Sequence, residues 1–152
     1  MISAWRIVKR KHLKTALTGE GARLYGGRWN TIGRPVIYTA ESRALAVAEM
    51  LVHLDASALL SSYAVIEVRI EETLVHEIDL GALPANWRAV PAPKRLQAIG
   101  DEWIEAATSS ALRVPSAVIQ GEFNYLLNPA HPEFRRLRFS TPERFRFDRR
   151  LR

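Results

Sequence analysis

The order of the short apolar patterns constrains this chain more than any other feature. Residues 4–8 (AWRIV), 36–39 (VIYT), 63–70 (YAVIEVRI), 75–80 (VHEIDL) and 114–119 (VPSAVI) are short runs of β-branched and aromatic side chains that read as strands. Two more basic strands are expected around 135–139 and 144–147; in the second, Arg144 and Arg146 alternate with Phe145 and Phe147. Only two segments carry a clear helical period. One begins at Ser42, a good N-cap, and runs to about Leu54. The other covers 94–108, where Leu96, Ile99, Trp103, Ile104 and Ala107 recur at helical spacing and Gly100 weakens the pattern. Residues 12–17 suggest a helical turn, 24–30 a shaped glycine-rich loop, and 124–129 (NYLLNP) a segment ending in a turn. A doubly wound parallel sheet needs strands and helices in regular alternation, and this order lacks it. The expected fold class is α+β: one compact domain over residues 1–152, with mixed, mostly antiparallel sheets and a few helices.

A chain of 152 residues can bury a sufficient core without staples. Having no cysteine, it has no disulfide, thiolate metal site or cysteine nucleophile, which fits a reducing compartment. No apolar run approaches the roughly 20 residues that span a bilayer, and the opening MISAWRIVKRKH lacks a signal-peptide apolar segment. The expectation is a soluble cytoplasmic protein. The net charge of +6 is unevenly placed: +7 over residues 1–34, +5 over 131–152 and −6 between them. Such basic ends suit nucleic acid, a phosphate-bearing small molecule or an acidic protein partner, and composition does not choose among them.

Glu49 is the most informative single residue. It is the only polar side chain in the window 44–52 (ALAVAEMLV). A helix apolar all round is a buried helix, and an unpaired carboxylate there costs several kcal/mol. Glu49 is therefore an edge carboxylate, a structural ion pair, or a carboxylate lining a pocket where it stabilises developing positive charge.

Arg28 lies in GGRWN, where paired glycines allow close backbone approach and an Arg can make paired hydrogen bonds to phosphate. A purely structural Gly-Gly-Arg loop fits the same letters. Tyr38, on the strand before the Glu49 helix, presents its ring to a flat heterocycle or packs in the core. Ser116 interrupts the apolar VPSAVI and needs a hydrogen-bond partner if buried. Without a G-x-S-x-G context it is a positioning hydroxyl rather than a nucleophile. His12, His53, His76 and His131 have no metal-ligand spacing, and no Walker, G-x-G-x-x-G or H-E-x-x-H motif is present.

Taken in order, AWRI, GGRWN, PVIYTAES, ALAVAEMLVHL, VPSAVI and NYLLNP resemble the RES domain, from about Ala4 to Pro129, with a basic tail as the ending. That family takes its name from an Arg, a Glu and a Ser. By this resemblance the catalytic residues fall on Arg28, Tyr38, Glu49 and Ser116, and further substrate-binding positions on Arg6 and Asn124. The resemblance implies a fold similar to ADP-ribosyltransferase toxins, with a cleft that holds NAD as substrate and no separate cofactor or metal. It implies a bacterial toxin that cleaves the nicotinamide–ribose bond, restrained by an antitoxin with an Xre-type helix-turn-helix, with a homodimer plausible in the complex. DNA would then be reached only through the antitoxin. ADP-ribosyl transfer to a protein is the alternative enzyme reading. A basic nucleic-acid-binding module or ribonuclease is the alternative from another class.

Overall fold

The longest ladder in the computed structural model, which describes residues 1–151, joins β1 (Ile2–Lys9) to β3 (Tyr63–Ile70) from Ile2↔Ile70 to Lys9↔Tyr63. Both strands alternate residues between two faces, and both faces bury apolar side chains. Six further strands complete one sheet: β2 (Ile37–Ala40), β4 (Val75–Glu77), β5 (Ala111–Pro115), β6 (Phe123–Leu127), β7 (Arg138–Phe139) and β8 (Glu143–Phe145). The strand order is β4-β5-β6-β2-β1-β3-β7, with β8 also on β3. Only the β4–β5 pair is parallel. The α+β class expected from the sequence is the observed one.

Register and alternation define what each face carries. Ala4, Ile37, Val68, Ile70, Tyr125 and Leu127 pack on one face beneath Leu74 and Leu137. On the other face two helices sit at opposite ends. The first, α2 (Arg43–Leu51), packs Leu45 and Ala46 with Ile7, Ala40, Tyr63 and Val65. The second, α3 (Lys94–Ala106), packs Leu96 and Trp103 with Trp29, Leu112, Val114 and Leu126. Between them the face is floored by β2 and β6, where Tyr38↔Leu126 and Ala40↔Asn124 are in register. This gap between α2 and α3 collects the polar residues.

Several expected elements shift. Residues 24–30 begin inside a short helix, α1 (Glu20–Tyr25), and only then form the loop. The segment 124–127 is a central strand rather than a turn approach, because Tyr125, Leu126 and Leu127 are buried on both faces of a covered sheet. The strand expected at 114–119 ends at Pro115, since the Ser116 hydroxyl takes up the next backbone amides in a turn. The strand expected at 75–80 stops at Glu77. At 135–139, a 3-10 turn over Pro132–Arg136 takes up the first two residues, and only Arg138–Phe139 pair as β7. No helix among the described residues is long and apolar enough to cross a membrane.

Candidate active site

α2 is held at its start by Ser42, whose Oγ accepts from the Leu45 amide at 3.0 Å. Seven residues beyond that cap, on the last turn, stands Glu49, half-buried. Its Oε1 accepts from Ser116 Oγ at 2.9 Å and from Asn124 Nδ2 at 3.0 Å. Its Oε2 makes no hydrogen bond among the described residues. The carboxylate is thus neither an ion pair nor a free surface group. One oxygen is locked by two neutral donors, and the other is left for a ligand.

Ser116 is fixed in turn. It is 1% exposed, and its Oγ accepts from the amides of Val118 at 3.1 Å and Ile119 at 3.0 Å while donating to Glu49. With its proton given to Glu49 and both acceptor positions taken by backbone amides, the hydroxyl is placed to orient the carboxylate. Asn124 reaches Glu49 from β6, and its own Oδ1 is buried without a hydrogen-bond partner among the described residues.

Tyr38 points into the same gap, but its hydroxyl is fully engaged. It donates to Asn30 Oδ1 at 2.6 Å and accepts from the Trp29 amide at 3.0 Å. Burial pushes its pKa well above the ordinary tyrosine range, against the opposing pull of the Trp29 N–H. Only the ring remains for a substrate. Gly27 is needed here, because a Cβ on it would lie 2.6 Å from the Tyr38 hydroxyl.

Arg28 is half-buried beside this turn. Its Nη1 donates to the carbonyls of Trp87 and Ala89, each at 3.0 Å. Burial lowers its pKa, and the Glu49 carboxylate is the largest influence opposing that shift. The remaining guanidinium N–H groups have no partner among the described residues.

Arg6 goes elsewhere. Alternation along β1 puts it with Ala4 and Val8, on the face away from Glu49. Its Nε donates to the Ala16 carbonyl at 2.8 Å and its Nη1 to the Tyr38 carbonyl at 3.0 Å. Burial without a carboxylate partner pushes its pKa down to about 10. Arg6 therefore reaches the site only through the β2 backbone.

The residue that sequence reasoning passed over is Asn30, 0% exposed. Its Nδ2 lies within hydrogen-bond distance of the carbonyls of Ala22, Thr31 and Arg34, while its Oδ1 receives the Tyr38 proton. The only signal was its place in GGRWN. Among the described residues no group of three or more His, Cys, Asp or Glu could hold a metal ion.

The structure thus gathers Arg28, Tyr38, Glu49, Ser116 and Asn124 in one gap. The sequence pattern of the RES domain matches residues 3–148. The chain belongs to the RES domain family. It is 43% identical over 148 residues to Toxin Res of Yersinia enterocolitica (serotype O:8 / biotype 1B), covering 97% of each chain. It is 33% identical over 154 residues to the Prs ADP-ribosylating toxin of Sphingobium sp. (strain YBL2), covering 98% of this chain and 96% of that one. The RES fold here is similar to one in the crystal structure of the M. tuberculosis MbcT–MbcA toxin–antitoxin complex. The TM-score is 0.77 at 19% identity, over 99% of this chain and 86% of that one. This chain is a RES-domain toxin.

Proposed function

We propose that this toxin consumes NAD by breaking the bond between nicotinamide and ribose. The observation that carries the reading is the half-buried Glu49, with Oε1 fixed by Ser116 and Asn124 and Oε2 without a hydrogen bond among the described residues. A carboxylate held that way is suited to stabilising positive charge that grows on a nearby carbon. In NAD the C1′–N bond breaks, and its electron pair leaves with nicotinamide, which departs neutral. The ribose becomes oxocarbenium-like beside Glu49. Water adds to C1′ and loses a proton to solvent, giving ADP-ribose. Arg28 holds the pyrophosphate with the N–H groups that Trp87 and Ala89 leave free. The Tyr38 ring packs on the nicotinamide, Ser116 and Asn124 orient Glu49, and Arg6 braces β2 beneath Tyr38.

The second reading, transfer of ADP-ribose to a protein, is favoured by the name of the Sphingobium relative, an ADP-ribosylating toxin. Purified protein incubated with NAD labelled in the adenylate, with and without lysate, separates the two. Nicotinamide and free ADP-ribose in equal amounts are expected. A labelled protein band with little free ADP-ribose selects transfer, and no NAD loss in either arm rejects both.

The partner proposed is an Xre-type antitoxin that covers the gap, in keeping with the toxin–antitoxin assembly of the structural neighbour. Electrostatic attraction to the basic ends would speed its association.

A further inference from the structure

Gln97, Gly100 and Asp101 share one face of α3, and that face meets the 27–31 turn at every residue that brackets Arg28. Gln97 Nε2 donates to the Gly27 carbonyl at 3.0 Å and to the Asn30 carbonyl at 3.2 Å, one on each side of Arg28. Asp101 accepts from the Thr31 amide at 3.0 Å through Oδ1 and from Thr31 Oγ1 at 2.6 Å through Oδ2. Arg34 Nε, at 3.3 Å from Asp101 Oδ2, completes the corner. Between these two side chains lies Gly100, where a Cβ would fall 1.7 Å from the Trp29 carbonyl oxygen. Glycine is among the least favourable residues for a helix interior, yet no other residue lets α3 rest on the Trp29 backbone. The glycine that weakens the helical pattern in the sequence is the point of contact.

We propose that Gln97 and Asp101 are positioning residues for Arg28, with Gly100 as the surface on which the turn lies. The inference rests on the NAD reading above for what Arg28 grips. The geometry supports it because the turn is fixed at Gly27, Trp29, Asn30 and Thr31, while the Arg28 side chain is anchored through Nη1 alone and keeps its other N–H groups for a ligand. A clamp on a non-reacting part of the substrate, once misplaced, weakens ground state and transition state alike, and the loss reads in KM. Trp29 and Asn30 also hold the Tyr38 hydroxyl, so one helix face fixes both the guanidinium and the ring.

The test uses the full chain and Gln97→Met, which keeps the side chain's length and removes both donated hydrogen bonds. Gly100→Ala is unsuitable, since the clash can prevent folding. Amide hydrogen exchange at Gly27 and Asn30, which donate to the same two carbonyls, is expected to quicken at least about tenfold, while Val118 and Ile119, which sit on Ser116, do not change. KM for NAD is expected to rise about tenfold or more, with kcat within about threefold. In an Arg28→Lys background, which lacks the paired guanidinium geometry, the same change is expected to move KM less than about twofold. Unchanged exchange at Gly27 and Asn30, or a KM effect of full size in the Arg28→Lys background, overturns the proposal. If the wild-type protein consumes no NAD, the functional reading fails, and the exchange arm alone still decides whether α3 fixes the turn.

Discussion

Every hydrogen-bonding valence of the Ser116 hydroxyl is used, and that makes its role readable at the scale of one residue. Ser116→Ala removes a donor from Glu49 and leaves the Val118 and Ile119 amides without an acceptor. Loss of about 1–3 kcal/mol of stability is expected, read by denaturant unfolding, together with slower NAD turnover. Tyr38 gives a pH prediction. Its folded pKa is raised, so the unfolded chain loses this proton first as pH rises. The stabilisation is complete below the ordinary tyrosine pKa of about 10 and fades above it. The urea midpoint should fall more steeply above about pH 9 in wild type than in Tyr38→Phe. Comparison with the variant also removes the contribution of Tyr63, whose pKa burial likewise raises. Glu49 and Ser116 stood out in the sequence because each is a lone polar group in an apolar run. Asn30 did not, because its burial depends on carbonyls from Ala22 and Arg34 that are local in space and not in pattern.

At the scale of elements, α2 was legible because a cap and an apolar run agree. Ser42→Ala is expected to lower stability by about 1 kcal/mol, with activity falling at lower temperatures than in wild type because α2 carries Glu49; thermal unfolding beside NAD assays checks both. β6 was not legible. Asn124 to Leu127 is too short for periodicity to separate a buried strand from a turn approach, and only its place between β5 and β2 decides the matter. Arg6 shows the reverse. Its alternation with Trp5 and Ile7 was visible, but which face would bear the site was set by where α2 and α3 pack. The Phe–Arg alternation near the end resolves the same way. Phe147 is buried and meets Tyr63 edge-on at 4.8 Å, while Arg144 and Arg146 stay exposed. Phe147→Ala is expected to cost about 3–5 kcal/mol, measurable by urea unfolding, since the ring shares a cluster with Leu45 and Ala46 of α2.

Across the whole molecule the two basic ends of the sequence converge. Lys9 pairs with Tyr63 and Tyr63 with Phe145, so the end of β1 and β8 within the tail lie across a single strand from one another. Part of the charge imbalance along the chain is thereby brought together, with Lys9 from one end and Arg144 from the other on either side of β3. Binding of the proposed antitoxin, steered by an acidic segment toward these basic residues, should slow as salt rises from about 50 to 500 mM, because screening shortens the reach of that field; stopped-flow mixing at the two salt levels reads it. The central claim concerns the opposite side of the charge balance, the single acid on the last turn of α2. Gln at position 49 keeps an oxygen to accept from Ser116 and Asn124 while removing the negative charge. The decisive measurement is NAD consumption by purified Glu49→Gln with a Tm matching wild type: a fall of at least about 100-fold is predicted, and turnover near the wild-type rate would contradict the account.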